Sequence, residues 1–249
     1  MTPIIPLLKR DLLEFRKYFL ATILFWVLIP VLIHIFLAIP LSRFIIMDIR
    51  YLNWSAAGVW ISTAGMIAFH ETANRLRKIH FETRQIDAIL KSPVTNLELI
   101  SVIMLRGIIF GFCQFVFAIC LTSTLNHEYF GITNILLITL QMFVIISFFS
   151  ALGTMFGLVI SNGMVFIQSS FILFLLLSLG MGTFIPMNYY PNRFISILGN
   201  IPLTTVFGNI QAIITHDPIR WTSFFLTIGL IIIITIITLI MSHNIFRRI

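Results

Sequence analysis

Residues 133–185 read TNILLITLQMFVIISFFSALGTMFGLVISNGMVFIQSSFILFLLLSLGMGTFI. Two apolar stretches, at about 133–160 and 164–185, are separated only by Ser161, Asn162 and Gly163. A helix needs ~20 apolar residues to cross a bilayer core, so each stretch is long enough, and Ser-Asn-Gly is a turn sequence. The segment predicts a tight helical hairpin of two spans. Were the turn overlooked, the chain would count five spans and its ends would fall on opposite sides. Working outward, further apolar stretches lie at about 18–41, 54–74, 100–124 and 221–246, which makes six spans. Pro30 should kink the first of them near its middle.

The composition suits a bilayer. Of 249 residues 59% are apolar and 10% charged, with a mean hydropathy of +1.03; soluble domains run at ~45–50% and ~25%. A soluble enzyme and a nucleic-acid-binding domain are excluded, because so few charges cannot cover a water-facing surface. The net charge of +7 is explained by orientation. On the six-span reading Lys9, Arg10, Arg16, Lys17, Arg75, Arg77, Lys78, Arg84, Lys91, Arg106, Arg247 and Arg248 share one side, and Arg43, Arg50, Arg193 and Arg220 the other. This asymmetry predicts that both termini are cytoplasmic. Trp54, Trp60 and Trp221 would then act as anchors at or near the outer interface. Cys113 and Cys120 are seven apart on one helix, too far to bridge, and read as small buried apolar residues.

Three segments lie outside the simple spans. In residues 1–17, Ile4, Ile5, Leu8, Leu12, Phe15 and Phe19 fall on one arc of a helical wheel and Lys9, Arg10, Asp11, Glu14, Arg16 and Lys17 on the other, as in a helix lying in the headgroup plane. In the cytoplasmic loop 75–97, Ile79, Ile86, Ile89 and Leu90 recur near helical spacing, Pro93 ends the helix and Asn96 is placed to cap the next one. A short amphipathic helix of this kind either docks in a partner's groove or lies on lipid headgroups. Residues 186–220 are apolar but cut by Pro186, Pro191, Pro202, Gly199 and Gly208 into runs too short to cross, which reads as a re-entrant segment at the outer mouth of a pathway.

Glu82, Arg84, Gln85, Ile86, Asp87, Ile89, Leu90, Ser92 and Pro93, together with Gly182–Pro191 and Pro202–Thr205, resemble the two signature regions of type-2 ATP-binding-cassette (ABC) exporter permeases. The resemblance covers nearly the whole chain, 1–249, as one transmembrane domain. It implies an all-α membrane protein: six transmembrane helices, an N-terminal interface helix, a cytoplasmic coupling helix between spans two and three, and a re-entrant outer hairpin before span six. It further implies a bacterial cytoplasmic-membrane location, a second permease copy as homodimer or paralogue, and two ABC ATPase subunits. In such an assembly Glu82 and Arg84 would be charged contacts of the coupling helix, Ile86, Ile89 and Leu90 its apolar anchors, and Pro186, Tyr189, Tyr190, Pro191 and Pro202 the outer gate. Gln211 stands where many relatives carry Arg. No phosphate loop of the Gly-x-x-x-x-Gly-Lys-Ser/Thr type occurs here, so no cofactor is expected on this chain, and ATP and Mg would belong to the partner.

Polar residues inside the predicted spans are few. His34, a turn past Pro30, is either a proton relay or substrate contact or a neutral ring bonded to a carbonyl freed by the proline; the second reading is preferred, since an ATP-driven exporter needs no proton path. Gln114, Gln141 and Gln168 either tie helices together or line a polar path. Gly107 with Gly111 and Gly153 with Gly157 allow close helix approach. Glu71 is placed to pair with Arg75 four residues on. Two other classes were weighed: an intramembrane lipid-modifying enzyme lacks clustered acids or a metal motif, and an ion-coupled secondary transporter lacks intramembrane acids. The abundance of Phe, Ile and Leu favours an amphiphilic, lipid-like or hydrophobic substrate, with a lipid-linked glycan the alternative.

Overall fold

The computed structural model describes residues 4–16, 19–47, 49–83, 85–91 and 93–246. Lys17, Arg84, Ser92, Arg247 and Arg248 lie outside the described residues, as do the side chains of Glu14, Asp87 and Leu90. The regular elements are helices throughout: α1 (Ile4–Arg16), α2 (Phe19–Ile33) running through a π-helical turn (His34–Ala38) into α3 (Ile39–Leu41), α4 (Tyr51–Arg77), α5 (Gln85–Leu90), α6 (Asn96–Asn126), α7 (Ile132–Val159), α8 (Gly163–Leu175) with a π turn (Leu176–Gly180), α9 (Asn192–Gly199), α10 (Pro202–Thr215) and α11 (Trp221–Phe246).

Among the described residues, five helices are long and apolar enough to cross a membrane: Phe19–Leu41, Asn96–Asn126, Ile132–Val159, Gly163–Gly180 and Trp221–Phe246. A sixth is added if α9 and α10, bent by 95° at their junction, count as one broken span. The chain is an all-α, multi-pass membrane protein. The break between the two predicted spans falls where the turn sequence put it, with Asn162 capping α8 by accepting from the Met164 amide at 2.8 Å, but α7 and α8 are not among the closely packed helix pairs.

The second predicted span does form a helix, but α4 is not among the five apolar ones. Its surroundings explain this. Twenty-seven residues long, about 40 Å at ~1.5 Å per residue, α4 runs between α6 and α7 and is buried along most of its length. A helix enclosed by other helices has no lipid-facing stripe to satisfy, so Ala, Ser, Thr and Gly replace Leu and Phe. The two glycine pairs allow the enclosure. A Cβ at Gly111 would stand 2.8 Å from Ile146 and 2.9 Å from Ala68; one at Gly107 would strike Thr72; those at Gly153 and Gly157 would run into the α4 backbone at Phe69 and Ala73. Both glycine pairs therefore serve packing within one chain.

The tryptophan expectation is corrected at two positions. Trp54 and Trp60 are buried; Trp60 donates from Nε1 to Thr122 Oγ1 at 2.7 Å and meets Phe115 and Phe130 edge-on. Only Trp221 is exposed. Cys120 is exposed and Cys113 half-buried, so neither is a fully buried filler.

In the first span, Pro30 has no N–H to give to the carbonyl of Trp26, four residues back. That carbonyl accepts instead from Gln114 Nε2 of α6 at 3.0 Å. The helix continues through the proline, and its disturbance is the π turn at His34–Ala38. The loop after α4 enters α6 through a capping box: the Glu98 amide donates to Thr95 Oγ1 at 3.2 Å, and Thr95 N donates to Glu98 Oε2 at 2.8 Å. The cap is Thr95, one residue before the Asn96 expected from sequence, because only Thr95 sits three residues before an acid that can reach back.

Candidate functional site

Helices α2 and α8 stand on either side of α4 without closing over it, leaving a groove of about 620 Å3. Its walls are Phe25, Trp26 and Ile29 of α2 and Phe174 of α8; its floor is Thr63, Met66, Ile67, His70 and Glu71 of α4. A second cleft of about 280 Å3 shares Leu32, Ile33 and Phe174 with it and is apolar apart from Ser178. The combined channel thus has polar groups, namely Thr22, Thr63, His70 and Glu71, in one part and hydrocarbon in the rest. An apolar length with hydrogen-bonding groups in one part is a lining whose chemistry matches an amphiphile.

Glu71 is held from behind. Arg106 of α6 grips it with two bonds, Nη2 to Oε2 at 2.8 Å and Nε to Oε2 at 3.2 Å, and lies over the Phe110 ring at 5.2 Å. The cation that pairs with Glu71 across the helix interface is Arg106, a partner the i+4 spacing to Arg75 did not point to. Sequence offered a signal for this: Arg106 falls inside the third predicted span, where a charge requires a partner. Beyond the groove floor His70 packs against Phe166 of α8 at 5.5 Å, and Arg77 lies over the same ring at 5.3 Å.

His34 is buried, and its Nδ1 has no hydrogen-bond partner among the described residues. The carbonyl freed by the proline belongs to Gln114, so the bond expected for His34 is not the one formed. Neither His34 nor the exposed Gln168 lines the groove, and Gln141 is wholly buried with neither amide atom partnered among the described residues.

At the end of the bundle where α4 finishes, the chain makes a π turn (Lys78–Glu82) and then α5. Ile86 and Ile89, expected as apolar anchors for a partner, are 1% and 8% exposed. They pack with Ile79 against Leu76, Leu99, Ile100, Ile103, Leu158 and Phe246. This corrects their role: they belong to a buried cluster of the chain's own bundle, together with residues from the ends of α4, α6, α7 and α11. What α5 offers outward is Gln85 and Ala88, followed by Lys91 and Pro93, all exposed. Glu82 is half exposed and bonded to Arg77 at 2.7 Å, whose Nη2 also donates to Asn74 at 3.3 Å. In α1, Lys9, Arg10 and Arg16 are exposed, with Ile5 and Leu13 exposed among them.

At the opposite end, Gly182 adopts a positive φ of 71°, and the chain turns through Pro186, which is buried, into a short 3-10 turn at Met187–Tyr189. Gln211, in place of a cation, donates from Nε2 to the carbonyls of Gly182 at 3.0 Å and Thr183 at 3.3 Å, and Tyr51 donates its hydroxyl to Phe184 O at 2.5 Å. A neutral amide suffices here because its partners are carbonyls. Tyr189 is exposed, accepting a 3.4 Å bond from the Ile46 amide; Tyr190 donates to the Leu179 carbonyl and stacks on Phe194; Pro191 is exposed and Pro202 opens α10. Burial pushes the Tyr190 hydroxyl above its ordinary value of 10.0.

Among the described residues no group of three or more His, Cys, Asp or Glu side chains is arranged to hold a metal ion. Compared with known protein families and with curated proteins, the chain matches none.

Proposed function

We propose that this chain is the permease subunit of an ATP-driven exporter of the type-2 ABC kind. It would work as a pair with a second copy or paralogue, bind two separate ATPase subunits that carry ATP and Mg, and move an amphiphile outward by alternating access. Both termini would be cytoplasmic, with α1 lying in the headgroup plane, α5 as the coupling helix, and the Pro186–Pro202 segment as the outer gate.

The observation that carries this reading is the way α5 is held. Ile86 and Ile89 of α5, with Ile79 of the turn before it, share one buried apolar cluster with residues from the ends of α4, α6, α7 and α11, while Gln85 and Ala88 of α5 stay exposed. A force applied to the exposed face is passed to α4, α6, α7 and α11 together, because a packed apolar contact moves as a body. This is what a coupling element requires: attachment inward, docking outward. The groove beside α4 supplies the place where an amphiphile enters, its chain along Ile29, Leu32 and Phe174 and its head at Thr22, His70 and Glu71.

The test changes only the exposed face. Ala88→Arg with Lys91→Glu leaves Ile86 and Ile89 in place, so thermal melting of the purified chain should not move. Co-purification of an ATPase and lipid-stimulated ATP turnover should both be lost. Retention of both activities would remove the coupling assignment.

A further inference from the structure

The 95° bend between α9 and α10 borders a further, unlike cavity of about 530 Å3, within the ~300–1,000 Å3 range of small-molecule sites. It is walled by Met187 and Ile195 and by the polar face of α10, and its rim carries Asp217 and Arg220. We infer that this crook binds the zwitterionic headgroup of a phospholipid, with Arg220 taking the phosphate, Asp217 the ammonium, and Thr204 a phosphate or glycerol oxygen. The assignment needs only the membrane character of the chain and is independent of the transport reading.

Four observations support it. Thr204 lines the cavity, is 5% exposed, and its Oγ1 has no partner among the described residues; a buried hydroxyl is nearly always satisfied, and this one has its bonding capacity to offer at the cavity wall. The cavity is also kept open by sequence: a Cβ at Gly199 or Gly208, both lining it, would meet nothing within 4 Å. Two adjacent helices thus leave room where an ordinary side chain would fit.

The charged rim is held in place. Asn209 is 2% exposed and spends its side-chain amide on the Arg220 backbone, accepting from Arg220 N at 2.9 Å and donating to Arg220 O at 3.2 Å. The Asp217 amide closes α10 on the Ala212 carbonyl at 2.8 Å after His216 turns left-handed at φ 61°, and Asp217 accepts from the Thr215 hydroxyl. Opposite charges three residues apart on a fixed turn match a phosphate and an ammonium better than either ion alone: a guanidinium fork binds phosphate oxygens, and the carboxylate attracts the cation. Finally, Phe194 and Ile197 of α9 and Trp221 at the start of α11, neighbours in sequence of the lining residues Ile195 and Arg220, are exposed, and exposed tryptophan favours a membrane interface. Those exposed apolar residues select a lipid over a free headgroup.

The test is lipid retention by the full purified chain in native mass spectrometry, with phosphatidylethanolamine and phosphatidylglycerol of identical acyl chains supplied in turn. Wild type should retain at least fivefold more of the ethanolamine lipid. Gly208→Leu, which fills the cavity from open space, and Thr204→Val, which removes only the hydroxyl, should each lower that retention at least threefold with unchanged melting. Asp217→Asn should erase the preference while keeping the glycerol lipid, and Arg220→Gln should weaken both. Equal retention of the two lipids by wild type, or full retention by Gly208→Leu, would overturn the site. Displacement of the lipid by soluble glycerophosphoethanolamine at equal concentration would overturn the assignment to a lipid.

Discussion

Replacing Gln114 by Leu should destabilise the protein only as long as residue 30 is proline. Gln114 is fully buried in α6 and donates to the Trp26 carbonyl, which the absent N–H of Pro30 leaves open. An interhelical side-chain bond in a membrane protein averages ~0.6 kcal/mol and reaches ~1.7, whereas a buried carbonyl left unpaired costs ~1–3 kcal/mol. Leu also removes Gln114 Oε1, a buried acceptor with no partner among the described residues, which offsets part of the loss. The expected cost of Gln114→Leu is therefore about 1 kcal/mol. In a Pro30→Leu background the backbone regains its own donor for Trp26, and the same substitution should cost about 0. A double-mutant cycle measured by reversible unfolding in mixed micelles reads the difference directly. Equal costs in the two backgrounds would refute the link between Pro30 and Gln114, and with it the account of how the first span is tied to α6.

Three further outcomes follow from particular contacts. Gly111→Leu forces a side chain into Ile146 and Ala68, and overpacking of ~1–3 kcal/mol or more should appear as a lowered melting temperature, while Gly208→Leu, facing open space, should not. Removing either member of the Glu71–Arg106 pair, by Glu71→Gln or Arg106→Gln, should cost ~1.5–3 kcal/mol, and the double variant less than the sum in the same unfolding assay. Glu128, on the turn after α6, is raised above 4.5 chiefly by burial, with Arg50 and His216 opposing. A carboxyl raised in the folded state favours folding while protonated and loses that advantage as pH rises from its unfolded value through its folded one. Wild type should therefore lose stability relative to Glu128→Gln on raising the pH from 4.5 upward, and the two should converge below that; parallel melting curves across the range would contradict it.

The sequence exposed the helices better than their neighbours. Ser161-Asn162-Gly163 announced the break between α7 and α8 because a turn chemistry interrupts an apolar run, and the proline-cut region before α11 announced the bent pair α9 and α10. The identity of the central helix was hidden: α4 is the least apolar long helix because it is enclosed, and enclosure is a tertiary fact that hydropathy reads as weakness. The same blindness placed Trp60 at an interface when it lies inside the bundle, and Ile86 and Ile89 on a partner when they hold α5 to its own chain. Spacing shows that a helix has an apolar face, not which neighbour covers it. Pair partners were missed for a like reason. Glu71 has Arg75 four residues on in sequence and Arg106 behind it on α6 in space, and only the fold brings the second into reach.

The central claim is that this chain works as one half of a membrane pair driven by separate ATPases. Mass spectrometry of the assembly extracted with its native lipid tests it most directly. The account predicts a particle containing two permease chains, two copies of this 28.5 kDa chain or one with a paralogue, together with two nucleotide-binding subunits, that hydrolyses ATP. A chain that emerges alone or only with itself, with no ATPase and no ATP turnover, would contradict it.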